Sequence, residues 1–316
     1  MLQYFLVSIL GDIMVKIDLI TGFLGSGKTT FLKQYAAHLL AKGERIGILE
    51  NDYGPINVDM MVLNDLRGDN LEIEMISGGC DIDCHKRRFK TKLIQMAMTG
   101  YTRVIVEPSG IFDTDEFYDL VYDEPLDNFY EIGNVITVFD SNLKTLDETT
   151  RFLLGNQLAS CGIVIASKAK GKKKEDIVDY LNGVMKDIQC SRVFKDDIIL
   201  YDNNPFSSEE FSIIDNSKYH SYSYLNSPVM ENNNFSSLYF MNEHLSEEKI
   251  LSLASLFMDN SYGNVIRIKG FYKKEDKWYL LNMTKDENNI SEISCGQDVI
   301  IVIGSELEEK RIRELF

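Results

Sequence analysis

One run of residues carries the strongest chemical signal in the chain: Gly22-Phe-Leu-Gly25-Ser-Gly27-Lys28-Thr29. Glycines at this spacing, followed by Lys and Thr, let successive backbone N–H groups turn inward around an anion. Gly22, Gly25 and Gly27 give the turn its freedom, and Ser26 and Thr30 lie beside it. The helix that opens near Lys28 points its positive end at the same anion. Lys28 then offers a charge to β- and γ-phosphates, and the Thr29 hydroxyl offers a ligand to Mg²⁺. The alternative is a chance glycine-rich turn, but here the motif follows an apolar run and precedes a helical one, as phosphate binding requires.

Three further clusters have chemical potential. Val104-Ile-Val-Glu107-Pro-Ser-Gly110 ends an apolar run on an acid. In a phosphate-loop protein, Glu107 there holds Mg²⁺ through water or orients an attacking water, and Gly110 admits the backbone to the γ-phosphate. Glu50-Asn-Asp52-Tyr-Gly54 follows the second apolar run. It reads either as a switch segment sensing γ-phosphate and metal through Asp52, or as a polar turn. Gly78-Gly-Cys80-Asp-Ile-Asp-Cys84-His85 places two thiols, two carboxylates and an imidazole close together. Thiolate and imidazole suit Zn²⁺, Ni²⁺ or Co²⁺, with Cys80, Cys84 and His85 as ligands. The bland reading is two unconnected thiols beside a glycine turn. Cys161, Cys190 and Cys295 lie in apolar or linker settings and read as packing residues.

Positioning these groups requires a particular scaffold. Apolar runs at 15–20, 45–49, 71–76, 103–106, 134–139 and 162–166 alternate with helical stretches, of which 29–41 has the clearest period, ended by Gly43. Such alternation predicts an α/β fold with a mostly parallel sheet covered by helices on both faces. From about 202 the composition shifts to Ser, Asn and Tyr, which reads as a linker over 206–234. A smaller α+β unit follows over 235–316, with strands at 236–241, 264–271, 277–283 and 298–303 and helices at 246–258 and 306–315. Ser246 is the expected N-cap of the first of these, with Lys249 where a capping box would have Glu. The nucleotide-binding unit is expected over 14–205. Residues 1–13 read as a gene-model extension, with Met14 as the natural start.

Composition narrows the partners. The 316 residues carry a formal net charge of -16, and an acidic chain repels nucleic acid and anionic lipid, so neither is expected as a partner. No apolar run is long enough for a membrane span. Five cysteines, an odd number scattered along the chain, do not read as a disulfide framework and fit a reducing cytoplasm.

Together the motifs resemble the CobW-type P-loop GTPases, relatives of the GTPases that insert nickel during urease and hydrogenase maturation. Ile20 to Thr30 looks like the family's P-loop, Asn51-Asp-Tyr-Gly54 like its Asn-Glu-Phe-Gly segment, and Glu107-Pro-Ser-Gly110 like its Glu-x-x-Gly motif. Gly263-Asn-Val-Ile-Arg-Ile-Lys-Gly-Phe271, Trp278 and Ile303-Gly304 look like its C-terminal domain. The resemblance implies slow, Mg²⁺-dependent GTP hydrolysis with Lys28, Asp52 and Glu107 in catalytic roles. It also implies the handling of Zn²⁺ or cobalt for a client metalloprotein. Two motifs depart from the family. Its Cys-x-Cys-Cys is Cys80-x3-Cys84 here. Its guanine-reading Asn-Lys-x-Asp is Ser167-Lys168-Ala169-Lys170, in which Lys168 still packs over a base but the carboxylate is replaced by an amine, leaving ATP open beside GTP. Two rival readings stand beside this one: an ATP- or GTP-driven activator of a corrinoid or other metalloenzyme without cargo metal of its own, and a non-catalytic nucleotide-switched binding module. A homo-oligomer is compatible with the sequence.

Overall fold

The computed structural model describes residues 14–51, 63, 66–76, 82–110, 112–142, 146, 148–224, 235–258, 261–284, 288–293 and 296–316. Asp52 and Cys80 lie outside these residues, as do Cys295 and the segment 1–13.

Seven strands form the first sheet: β1 (Val15–Thr21), β2 (Ile46–Asn51), β3 (Leu71–Ile76), β4 (Arg103–Pro108), β5 (Tyr130–Asp140), β6 (Ile163–Ser167) and β7 (Ile198–Leu200). Their spatial order is β3-β2-β4-β1-β5-β6-β7, and every pairing is parallel. Successive residues of a strand face opposite sides, so a sheet covered on both faces needs apolar residues at nearly every position. The central strands have them. In β1, Ile17 and Leu19 enter one core while Ile20 enters the other, and in β4, Val104 and Val106 oppose Ile105 in the same way.

Helix α1 (Lys28–Ala41) covers one face through Phe31, Leu32, Tyr35, Ala36 and Leu39, all essentially inaccessible. Each large apolar side chain so buried contributes about 1.5–3 kcal/mol. The other face is covered by α2 (Ile82–Met98), α3 (Thr114–Val121), α4 (Glu148–Ser160) and α5 (Lys174–Asp187). The structure departs from expectation after β7. Instead of a linker beginning at 206, helix α6 (Ser208–Asp215) packs beside α1 through Phe211 and the buried Ile214, with Phe206 just ahead of it in the same core. It opens on a complete capping box, Ser207 with Glu210. The chain then crosses the sheet's lower edge, where the carbonyl of Lys218 accepts from the Val135 N–H at 2.9 Å, and ends its described course at Tyr224.

The second sheet is antiparallel. It comprises β8 (Phe235–Met241), β9 (Asn264–Lys274), β10 (Lys277–Met283), β11 (Asn288–Ile293) and β12 (Val299–Ser305), in the order β11-β10-β9-β12-β8. Helix α7 (Glu247–Phe257), with Ser246 as its N-cap accepting from the Lys249 N–H, covers one face through Ile250, Leu253, Ala254 and Phe257. The short α8 (Glu309–Arg313) adds Ile312 to that core.

Candidate phosphate-binding site

The strand order places β1 between β4 and β5, while the chain runs from β1 to β2 on the far side of β4. In open parallel sheets, ligands bind at the carboxyl ends of strands where the order reverses in this way. Residues 22–27 leave the end of β1 there and lead into α1. Gly22, Gly25 and Gly27 adopt positive φ of 141°, 78° and 97°. At Gly22 a methyl group would lie 2.1 Å from the Val138 carbonyl oxygen, so only glycine fits.

Lys28 is 7% exposed, and its ammonium donates to the Gly22 carbonyl at 2.9 Å, so the amine folds back across the loop mouth. Thr29 donates from Oγ1 to Glu107 Oε1 at 3.0 Å. This joins the start of α1 to the end of β4 and sets the two proposed Mg²⁺ groups side by side. Gly110 lies against the loop from the other side: a methyl group there would sit 2.5 Å from the Leu24 nitrogen. Gln157 holds the Gly110 segment from α4, its amide within 3.4 Å of the Gly110 and Phe112 carbonyls. Thr30 begins the exposed side of α1.

Two further features of this site come from residues already named, and only the Ser109 hydroxyl was given no role from the sequence. Glu50 is 3% exposed and lies opposite Glu107 across the β2–β4 pairing, so a second carboxylate shares its face of the sheet. Its signal was present in the sequence, since Glu50 and Glu107 both close apolar strands, but the pairing register is needed to bring them together. The buried hydroxyls of Ser26 and Ser109 have no hydrogen-bond partner among the described residues. Buried polar atoms are nearly always satisfied, so orphan hydroxyls beside a glycine cradle fit a site built for phosphate oxygens. The residues present therefore suit a Mg²⁺–polyphosphate: amides and Lys28 for the anion, Thr29 with the strand-end acids for the cation.

The segment at the end of β6 is turned partly toward structure. The Ser167 hydroxyl lies 2.6 Å from the Ser26 carbonyl and 3.1 Å from that of Phe139, tying β6 to the loop. Lys168 has a left-handed backbone, φ 54°, and its amine pairs with Asp140 at 2.8 Å. Lys170 is exposed. At the candidate metal segment, Cys84 is half-buried and His85 is fully buried, on adjacent positions of α2 that diverge around the helix. Among the described residues no group of three His, Cys, Asp or Glu side chains is placed to hold a metal ion. Cys161 and Cys190 are buried, and burial pushes the Cys161 thiol up.

No helix among the described residues is long and apolar enough to cross a membrane. Among curated proteins, the zinc chaperone YeiR of Escherichia coli is 28% identical over 159 residues, covering 49% of this chain and 47% of YeiR. The zinc-regulated GTPase metalloprotein activator 1 of Schizosaccharomyces pombe is 26% identical, covering 63% of this chain and 53% of its own length. The chain thus spans about half the length of the curated relatives it matches. Among solved structures, that of Zn(II)-bound YjiA GTPase from E. coli aligns over 96% of this chain and 98% of its own, with 17% identity and a TM-score of 0.39. The model of the CobW/HypB/UreG nucleotide-binding domain matches residues 16–195, more than half of the chain, and the chain belongs to that family.

Proposed function

We propose that this protein binds a nucleoside triphosphate with Mg²⁺ at the β1–α1 loop, hydrolyses it slowly, and couples nucleotide state to the handling of a metal ion for a client metalloprotein. The observation that carries the reading is the Thr29–Glu107 hydrogen bond of 3.0 Å beside the Lys28 ammonium. It sets a hydroxyl, a carboxylate and a cation together at the mouth of a glycine cradle. In this reading the loop amides and Lys28 bind the β- and γ-phosphates, and Thr29 ligates Mg²⁺. Glu107, with Glu50 beside it and Asp52 beyond the end of β2, positions the metal or the attacking water. Bound Mg²⁺ would neutralise charge on the phosphates as the terminal bond breaks. Gly110, packed against the Leu24 backbone of the loop, would respond to a γ-phosphate in this reading. Cys80 and Cys84 are the proposed ligands of Zn²⁺ or cobalt, with His85 a weaker candidate because it is wholly enclosed. GTP is the proposed nucleotide, in keeping with the names of the relatives, and a cytoplasmic setting goes with it.

The test is calorimetric titration of the full chain with GTP and ATP in Mg²⁺, with and without stoichiometric Zn²⁺ or Co²⁺. Tight GTP binding that changes with metal loading supports the coupled reading. Nucleotide binding that ignores metal moves the assignment to an activator without cargo metal. One observation favours a second departure. Ser167 is committed to the Ser26 carbonyl and Lys170 points to solvent, so no carboxylate from this segment is offered to guanine. Loss of such a contact weakens base discrimination by about 1–3 kcal/mol, and comparable ATP and GTP affinities would identify it.

A further inference from the structure

Two adjacent residues of α4, Asn156 and Gln157, grip the two ends of one loop. Both are buried, at 2% and 1% exposure. The loop leads from β4 to α3 and carries Gly110, whose backbone packs against Leu24 of the phosphate loop. Gln157 holds the near end. Its amide donates to the Gly110 and Phe112 carbonyls, both at 3.4 Å, and its Oε1 has no partner among the described residues. Asn156 holds the far end, at the start of α3. Its Oδ1 accepts from the Thr114 N–H at 3.0 Å and from the Thr114 hydroxyl at 2.6 Å. Its Nδ2 donates to Asp113, the N-cap of α3, at 3.0 Å.

The same Nδ2 also donates to a residue from outside the strands and helices of the first unit, the Tyr224 hydroxyl, at 2.5 Å. That hydroxyl donates in turn to Asp115 Oδ2 at 2.5 Å. Tyr224 belongs to a strap that climbs α4. The His220 N–H donates to the Ser160 carbonyl at 2.9 Å, Tyr224 reaches Asn156, and the Tyr224 ring meets Phe152 edge-on with centroids 6.3 Å apart. Residues 160, 156 and 152 are spaced by four and form one stripe of the helix. The strap therefore runs antiparallel to α4, toward the sheet edge where β5 ends and the phosphate loop lies. From Tyr224 the chain goes on to β8 of the second sheet.

The two grips differ in kind. At the far end the Asn156 amide uses both its hydrogens and accepts twice, and the Tyr224 hydroxyl both donates and accepts; a satisfied buried network of this sort is rigid. At the near end there are two long bonds and an idle acceptor, so this end yields more easily. Gly110 is three residues from Asp113, a reach of at most about 10 Å. How the Gly110 turn meets the phosphate loop thus depends on where the far anchor stands.

We propose that Asn156 and Tyr224 are positioning residues for the terminal phosphate of the nucleotide: they fix the start of α3, and through it the Gly110 turn, so that the turn stands ready for a triphosphate. The inference rests on the nucleotide reading of the β1–α1 loop. Coupling of this kind is reciprocal. A triphosphate that draws on the Gly110 turn also steadies the strap, whereas a diphosphate, held by the phosphate loop alone, does not. The strap is then the element by which nucleotide state reaches the chain leading to the second sheet.

The full chain is titrated in Mg²⁺ with GDP, ADP and the non-hydrolysable analogues of GTP and ATP, as wild type and as Tyr224→Phe, Asp115→Ala, their double variant, Tyr222→Phe and Lys28→Ala. Tyr224→Phe keeps the ring against Phe152 and removes only the hydroxyl. It is expected to weaken triphosphate binding by about five- to tenfold and diphosphate binding by less than about twofold. Asp115→Ala should do the same, and the double variant should lose little more than either alone, because both remove one bond. Tyr222→Phe, on an exposed residue of the same strap, should keep the wild-type ratio. Melting temperatures without nucleotide show which variants fold, and if one of Tyr224→Phe and Asp115→Ala does not, the other decides. Amide hydrogen exchange over 217–224 gives a second readout: triphosphate, but not diphosphate, is expected to slow it in the wild type, and the difference should vanish in Tyr224→Phe. A lowered melting temperature with an unchanged triphosphate-to-diphosphate affinity ratio in folded Tyr224→Phe overturns the inference and leaves these residues a purely structural role. Should Lys28→Ala lose nucleotide while Tyr224→Phe keeps that ratio, only the positioning role fails. Should the wild type bind no nucleotide, or Lys28→Ala bind it as the wild type does, the phosphate-loop reading falls as well.

Discussion

Two polar clusters lie beneath the same helix, α1, at opposite ends of β1 and β4. At the lower end, Asp18 is fully buried and accepts three hydrogen bonds: from Arg103 at 2.7 Å, Tyr35 at 2.8 Å and the Asn134 N–H at 2.8 Å. Burial and then the Asp18 charge raise the Tyr35 phenol well above its ordinary pKa, so it remains a donor. Burial lowers the Arg103 guanidinium, but Asp18 outweighs it and the net shift is upward. At the upper end, Lys28, Thr29, Glu107 and Glu50 sit beside the orphan hydroxyls of Ser26 and Ser109. The lower cluster turns most of its groups on one another, with the Arg103 Nε the exception among the described residues. The upper one includes two hydroxyls, of Ser26 and Ser109, without a hydrogen-bond partner among the described residues. A buried polar cluster whose groups satisfy each other stabilises or specifies a fold, whereas one with spare donors marks a binding site.

The contrast predicts that changes below affect folding and changes above affect ligand. The largest effect is expected from Arg103→Met, which leaves the Asp18 carboxylate buried without its cation. It should cost about 3–5 kcal/mol in denaturant unfolding, with part of the loss recovered when Asp18→Asn is added. A wild-type-like midpoint would break the comparison. Next comes Lys28→Ala, expected to weaken nucleotide binding at least about 100-fold while moving the melting temperature by only a few degrees. Calorimetry and a thermal melt on the same sample separate the two. Gly110→Ala should displace the Leu24 backbone and weaken triphosphate binding by about tenfold, a loss that Ser109→Ala, which adds no bulk, should not reproduce in full.

The smallest effect is expected at the foot of α1, where Asp215 of α6 meets His38 at 2.9 Å and Lys42 at 2.8 Å. Burial raises the Asp215 carboxyl, and the hydrogen bonds from Lys42 and His38 more than reverse this, so its pKa is lowered on folding. Its contribution is therefore complete above the ordinary carboxylate pKa near about 3.9 and fades as pH falls through the lowered value. Asp215→Asn should cost about 1 kcal/mol or less at neutral pH, with the difference from wild type vanishing in strong acid. A difference that persists at low pH would assign the effect to packing.

How far these regions could be read in advance depends on the range of the interaction. The phosphate loop was legible because its chemistry lies in consecutive residues, and the parallel strands because burial on both faces writes itself as continuous apolar runs. Helix α6 was mistaken for linker since Ser, Asn and Glu around it dominate the composition, although Ser207 with Glu210 is a capping signal in plain view. Strand β11, Asn288–Ile293, was missed because it is a polar edge strand with one apolar neighbour, β10. β7 is only three residues long.

The sequence by itself determined the family, the alternation of strand and helix, and the residues that could hold phosphate and Mg²⁺. The alternation follows from local hydrophobic periodicity, the phosphate residues from motif spacing, and the family from the resemblance of those motifs. Only the tertiary structure set Glu50 opposite Glu107 and closed Thr29 onto Glu107. Those pairings join residues far apart in the chain, and their register is decided by how whole sheets and helices pack, which no local pattern of side chains encodes.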